Sequence, residues 1–252
     1  MMEKKLHLAT FDRYDRQLKI LGIEGQRKLM KAKVMIAGVG GLGCVSAILL
    51  AVAGIGKLVL VDKGKVEMSN LNRQILYTPK DVGKFKAPIA ARAIKKLNPN
   101  VEVEHVIAEI NEDNVDDLTR NVDLVVDGMD NYEGRFLLNK TCIKFGKPFI
   151  HGAIHGFMGQ LMTIIPNKGP CLQCIIPTYP PKPDTIPVLS ATPSVIASLE
   201  AMEAIKVITG VGEPALGKLM VFDGEKMKFY EIRAVKNPNC PICGKNSGKE
   251  IT

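Results

Sequence analysis

Apolar positions along this chain alternate between two spacings. Phe11, Tyr14, Leu18 and Leu21 recur at helical intervals over 11–30, and the run Lys33-Val34-Met35-Ile36-Ala37 then reads as a buried strand. That strand passes directly into Gly38-Val39-Gly40-Gly41-Leu42-Gly43. An apolar helix follows to residue 53, with Gly54 placed to stop it. A second apolar strand, 57–61, ends at Asp62. The alternation continues with a helix over 87–97, a strand over 101–106, a short helix over 111–120 and a strand over 122–126 ending at Asp127. A helix over 132–145 leads to a strand at 148–150. Buried strands separated by helices require parallel pairing with right-handed crossovers. The expected fold class is therefore α/β, a doubly wound Rossmann-like sheet that is mostly parallel in its N-terminal half.

Beyond residue 150 the texture changes. Residues 159–165 and 218–222 read as later strands. Asp223-Gly224 with the alternation over 227–232 predicts a hairpin, so antiparallel strands extend the sheet. Residues 177–193 hold six prolines and read as a long crossing loop, with a helix over 194–208 after it. No linker divides the chain. A single domain over 1–252 is expected, with a nucleotide-binding part at about 11–165 and a crossing-loop and C-terminal part at about 166–245.

Composition narrows the class. With 46% apolar and 24% charged residues, the chain is neither disordered nor a fibrous repeat. The most apolar stretch, 45–55, is shorter than the roughly 20 residues a membrane span needs. The first residues carry charge and no apolar leader, so a cytoplasmic protein is expected. The net charge of +8 permits acidic partners, but its cations are scattered over what reads as a mixed, solvated surface. Two of the six cysteines, Cys44 and Cys142, stand alone, and the other four form two C-x-x-C pairs, which is not the pattern of a secreted disulfide scaffold.

Three groups of residues carry candidate chemistry. Gly38, Gly40 and Gly43 satisfy G-x-G-x-x-G between a strand and a helix. There small residues admit phosphate oxygens and the helix N-terminus favours their charge. Asp62 stands where a ribose-binding acid belongs. The motif alone does not separate NAD from ATP, but Arg73 and Lys86, soon after Asp62, are cations of the kind a triphosphate needs. Asp127-Gly128-Met129-Asp130-Asn131 follows a buried strand, where an Asp serves equally as a Mg²⁺ ligand or as a cap on the next helix. Finally, Cys171, Cys174, Cys240 and Cys243 offer four thiolates at the spacing of a closed, structural Zn²⁺ site, with a disulfide or redox pair as the alternative.

Taken together, Arg13-Tyr14-Asp15-Arg16-Gln17, the GVGGLG turn, Asp62, Ser69-Asn70-Leu71-Asn72-Arg73-Gln74, Lys86, the DGMDN segment and the paired C-x-x-C resemble the ThiF/MoeB/HesA family, relatives of the ubiquitin-activating enzymes. The similarity runs from about residue 11 to 244. It implies ATP-dependent adenylation of the C-terminal glycine of a small ubiquitin-like sulfur-carrier protein ending in Gly-Gly. Molybdopterin, thiamine or tRNA-thiolation chemistry would be served by it. Gly41, Leu42 and their neighbours would hold the phosphates, and Asp62 the ribose. Asn70, Arg73 and Lys86 would contact the triphosphate, with Ser69, Leu71, Asn72, Gln74 and Asn131 in the same site. Asp130 would hold Mg²⁺ at the reacting phosphate, and the C-x-x-C pairs would hold structural zinc. Arg16 would reach into a neighbouring subunit's site, which implies a homodimer. Many relatives carry a further cysteine in the crossing loop. Here 175–193 holds none, and Asp184 or a neighbour falls there, so adenylation without an obligatory enzyme-bound thioester is expected, with sulfur from a separate donor protein or a persulfide delivered in trans.

Three other readings remain at this stage. The same fold can adenylate a tRNA-linked or peptide carboxylate. A nicotinamide dehydrogenase would use the same turn, but only His151 and His155 offer hydride-site acid–base groups, and a strand-end packing or substrate-channel role suits them better. A zinc-knuckle nucleic-acid binder is disfavoured because Trp is absent and stacking aromatics are few. Cys44, in the first turn of the phosphate-binding helix, is read as a small packed residue, and so is Cys142. The Met residues at 158, 162, 202, 220 and 227 read as core filler.

Overall fold

The computed structural model describes residues 11–178 and 187–244. The strands are β1 Lys33–Ala37, β2 Lys57–Val61, β3 Glu102–Val106, β4 Leu124–Asp127, β5 Phe149–His155, β6 Met158–Ile164, β7 Lys218–Asp223 and β8 Lys228–Arg233. The helices are α1 Asp15–Lys31, α2 Gly41–Ala53, α3 Lys86–Leu97, α4 Val115–Arg120, α5 Tyr132–Phe145, α6 Leu172–Ile175 and α7 Ala191–Thr209. One sheet holds every strand in the order β3-β2-β1-β4-β5-β6-β7-β8. The first five run parallel and β5 to β8 pair antiparallel, which is the mixed doubly wound arrangement expected. Chain order reverses between β1 and β4, so the crevice between their carboxyl ends is where a ligand belongs.

Alternation along β1 assigns its residues to the two faces. Val34 and Ile36 pack with Leu29, Leu50, Ile94 and Ala204 from α1, α2, α3 and α7. Met35 and Ala37 pack with Val115, Phe136 and Leu138 from α4 and α5. A strand covered on both faces has to be apolar throughout, and apart from its exposed first residue β1 is fully buried.

Four elements differ from the expectation. Gly22, at φ 67° and ψ 171°, breaks α1 into two helical pieces. Asn111 accepts from the N–H groups of Asp113 and Asn114, an Asx turn that delays α4 to Val115. α7 starts at Ala191, with Pro193 in its first turn, where a missing N–H costs nothing. β5 runs to His155 because β6 pairs with it through His155↔Met158. Its glycine mid-strand reflects a close approach: a Cβ on Gly152 would lie 2.1 Å from Glu200 Oε1 of α7. The crossing loop lies partly, and Asp184 wholly, outside the described residues.

Candidate active site

The glycine turn joins β1 to α2 and is shaped by close backbone contact. A Cβ on Gly43 would sit 1.9 Å from Gly38 O, so this position admits no side chain. Gly38 itself has φ 89°, a left-handed conformation natural to glycine. Val39 is pinned on both sides. Its N–H donates to Asp62 Oδ2 at 2.8 Å, and its carbonyl accepts from the Tyr77 hydroxyl at 2.7 Å. Asp62 Oδ1 accepts from Gly64 N–H at 2.6 Å. Each carboxylate oxygen keeps a lone pair after these bonds, so Asp62 can both brace the turn and accept from a ribose hydroxyl.

Cations surround this turn. A Cβ on Gly64 would lie 3.0 Å from Asp62 Oδ1 and 3.5 Å from Lys86 Nζ, which puts the ammonium on the same side of the turn as Asp62. A Cβ on Gly41 would meet Arg73 Cγ at 3.5 Å and Pro193 at 3.3 Å, so Arg73 flanks the first residue of α2. The Arg73 guanidinium donates to Ser69 O and Asn72 Oδ1 at 3.0 and 2.9 Å, which orients an exposed group from within its own segment. Asn70 has a local structural role: it is buried, and its Oδ1 accepts from Glu67 N–H in a capping box. One amide hydrogen is directed at Ser69 Oγ, 3.5 Å away, and the second remains for a ligand. Gln74 is buried with its Nε2 beside Gly40, and its Oε1 is without a partner among the described residues. Leu71 and Leu42 pack inward, against different parts of the core.

The DGMDN segment meets the turn from the other side of the switch point. A Cβ on Gly128 would lie 2.2 Å from Gly38 O. Asn131 caps α5 by accepting from Gly134 N–H at 2.8 Å and donates to Asp130 Oδ1 at 3.0 Å. Asp130 is exposed, so its carboxylate is the one in this segment presented to a ligand. Asp127 is not: it is fully buried, accepts from Met129 N–H, and faces His151 and Arg135. The helix cap weighed for an Asp in this segment is Asn131 instead. Arg16 is exposed on α1, two residues after Tyr14, whose ring packs at Gly54, the end of α2 opposite the glycine turn.

Cys44 shows which of two opposing effects wins. Its place in the first turn of α2 favours a thiolate by about 2 kcal/mol at most. Burial pushes the thiol up to about 12, roughly 4 kcal/mol the other way, and its Sγ donates to Val39 O. Cys44 is an inert packed residue, and Cys142, raised further by burial, is another.

The four remaining cysteines converge from α6 and the C-terminal segment. All four sulfurs lie within 4.8 Å of one another, with Cys171–Cys240 at 3.7 Å and Cys174–Cys243 at 3.4 Å. Four sulfurs at about 2.3 Å from a tetrahedral zinc would stand about 3.8 Å apart, so the cluster fits that ion with little movement. None is in a disulfide. Burial raises the Cys171 thiol, and burial with the neighbouring Cys174 raises Cys243 to about 11, while against burial the hydrogen bonds from Cys243 and Ile242 lower Cys240; without a cation Cys171 and Cys243 hold protons that a metal would displace.

The sequence singled out His151 but not its partners in the interior behind this crevice. His151 Nδ1 lies 2.7 Å from Asp127 Oδ2, and Gln160 Nε2 lies 3.1 Å from His151 Nε2. On the opposite face of the sheet Ser46 donates to Glu200 at 2.8 Å. Burial, then the Asp127 charge, holds the Glu200 carboxyl well above the usual carboxylate range. The only local signal was an acid at the end of β4 and a histidine within β5.

A glycine turn at the switch point, braced by an acid and flanked by an arginine, a lysine and an exposed aspartate, is the arrangement of a Rossmann-like ligand crevice. The ThiF family model matches residues 14–242, and the chain belongs to that family. It is 40% identical over 246 residues to the sulfur carrier protein adenylyltransferase of Thermus thermophilus, covering 92% of this chain and 90% of that protein. It is also 40% identical over 258 residues to the SAMP-activating enzyme E1 of Haloferax volcanii, covering 99% and 95%. Among solved structures, E. coli MccB with ATP superposes with a TM-score of 0.81 at 29% identity, covering 92% of this chain and 74% of that one. No helix among the described residues is long and apolar enough to cross a membrane.

Proposed function

We propose that this enzyme activates the C-terminal glycine of a small ubiquitin-like sulfur-carrier protein by transferring the AMP group of ATP to its carboxylate. The observation that carries the reading is the interlock of Gly38 with Gly128. It brings the Asp130 loop against a phosphate-type turn that already has Arg73 and Lys86 at its edge. The names of the Thermus and Haloferax relatives, which extend over nearly the whole chain, support the same substrate class.

In this reading the N–H groups of the turn and the start of α2 receive the phosphates, and Asp62 accepts from the ribose. A carboxylate oxygen of the carrier attacks the α-phosphorus, the bond to the bridging oxygen of the β-phosphate breaks, and pyrophosphate leaves. Charge then builds on phosphate oxygens that Arg73 and Lys86 face. Their contribution is positioning and electrostatics rather than proton transfer. Asp130, an exposed carboxylate braced by Asn131, is the residue suited to the Mg²⁺ that accompanies ATP, which would neutralise phosphate charge. The cysteine cluster would hold a structural Zn²⁺. Arg16, exposed on α1, would complete the site of a second copy in a homodimer. With no crossing-loop cysteine, sulfur would come from a separate donor.

The test is carrier-dependent exchange of labelled pyrophosphate into ATP. Exchange is expected in the wild type and lost in Arg73→Ala and in Asp130→Ala. Exchange surviving both substitutions would overturn the assignment.

A further inference from the structure

The sheet continues past the crevice on one side only. β5 pairs with β4 at Val126↔Ile150 and then runs on to His155, so the β5–β6 hairpin stands above the carboxyl ends of β1 and β4 as a wall. The wall is held firmly. A Cβ on Gly152 would meet Glu200, and one on Gly159 would lie 2.3 Å from Ile196 Cγ1, so α7 packs directly on the hairpin backbone.

On the opposite face of this wall Asp127, His151 and Gln160 form a line. Asp127 and His151 are fully buried, and Gln160 is half-buried. Arg135 Nε lies 3.3 Å from Asp127 Oδ2 and supplies the counter-charge to a carboxylate that only accepts. His151 Nδ1, at 2.7 Å from that same oxygen, therefore carries the ring's proton. Burial holds the imidazole below its usual pKa, so it has one proton and Nε2 is an acceptor. The Gln160 amide must then turn its NH₂ to His151, at 3.1 Å, which directs Oε1 away from the ring. Among the described residues that oxygen has no hydrogen-bond partner.

A fixed carbonyl oxygen beside the crevice repels phosphate oxygens and attracts donors. A polypeptide tail entering by its carboxylate brings backbone N–H groups. We propose that Asp127 and His151 orient Gln160 so that its Oε1 accepts a hydrogen bond from a backbone N–H of the substrate's C-terminal tail. His151 is a positioning residue, and Gln160 touches substrate. This rests on the adenylation reading for the identity of the tail.

The experiment compares His151→Phe, Gln160→Ala and the double variant of the full chain in pyrophosphate exchange, with a ubiquitin-fold protein ending in Gly-Gly from the same genome as carrier. Each single variant is expected to raise the carrier KM about fivefold, the scale of one neutral hydrogen bond, with the KM for ATP and kcat within about twofold of wild type. The double variant is expected to match the single ones, because both act through one bond. Multiplying effects, or a lowered Tm with an unchanged carrier KM, would overturn the proposal. If His151→Phe does not fold, Gln160→Ala alone decides, since its side chain is half-exposed. ¹⁵N NMR of the imidazole is independent of activity. A proton on Nδ1 is expected, and one on Nε2 would overturn the relay. Absence of exchange in the wild type with the expected tautomer would instead sink the adenylation reading and the substrate named for Gln160.

Discussion

The carbonyl of Gly38 and the backbone of Gly128 approach so closely that neither residue has room for a methyl group. A Cβ on Gly38 would lie 2.6 Å from Gly128 O, and one on Gly128 would lie 2.2 Å from Gly38 O. This contact ties the turn after β1 to the loop after β4 across the switch point. Gly128→Ala has to push the two strand ends apart. Overpacking of this kind costs about 1–3 kcal/mol, and about 1 kcal/mol shifts the Tm of a chain this size by roughly 2–4 °C. Thermal unfolding should show that loss together with weaker ATP binding. A Tm and an ATP affinity both equal to wild type would mean that the two loops move independently.

Arg16 offers a test of a composite site. It is exposed on α1, and the preceding Tyr14 packs at Gly54, the end of α2 opposite the glycine turn. Arg16→Ala should abolish exchange, and so should Asp130→Ala. Mixing the two should restore activity to a fraction of the dimers, because one of the two sites then combines an intact Arg16 with an intact Asp130. Inactive mixtures, with heterodimer formation confirmed by mass, would count against the shared site.

For the cysteine cluster the order of losses is the prediction. Four sulfurs within 4.8 Å of one another tie α6 to the segment around Cys240 and Cys243. Cys171→Ser, or treatment with a strong chelator, should release about one zinc per chain and lower the Tm before it changes the KM for ATP. A folded, zinc-loaded Cys171→Ser protein without activity would give these thiols a chemical role instead.

Glu200 makes stability depend on pH with a definite sign. Its carboxyl is buried, and its folded pKa lies well above the ordinary 4.5, burial being the first cause and the Asp127 charge the second. Above pH 4.5 the unfolded chain loses this proton while the folded chain keeps it. Glu200 therefore costs stability progressively as pH rises from 4.5 toward its raised value, and contributes no penalty below 4.5. Glu200→Gln keeps the size and an acceptor for Ser46 and has no proton to lose. Its stability relative to wild type should increase from pH 4 to pH 7 in urea denaturation. A difference that stays flat over that range would show that Glu200 is ionised in the folded protein.

Several features were legible because their chemistry is local. β1, the glycine turn, α2 and β2 follow from an apolar run, three glycines at fixed offsets and a C-terminal stop at Gly54, and they lie where their pattern put them. The two C-x-x-C pairs carry their spacing within four residues each, and the fold brings them together. The length of β5 was not legible, because Gly152 reads as a strand breaker until α7 is seen lying on it. Nor were the separate roles of Asp127 and Asp130. Three residues apart, one points into the core toward His151 and the other stays in solvent.

Sequence alone determined the strand and helix periods, the position of the phosphate-type turn, the acid after β2, the cations that follow it and the four thiols. Each depends on neighbours within a few residues, where backbone geometry is set by side-chain spacing. Tertiary structure decided which glycines make room for another element, which cysteines are sealed off, which aspartate is available and which way the Gln160 amide faces. Those outcomes depend on burial and on contacts between distant segments such as Gly38 and Gly128 or Gly152 and Glu200, which exist only once the chain has closed around its sheet.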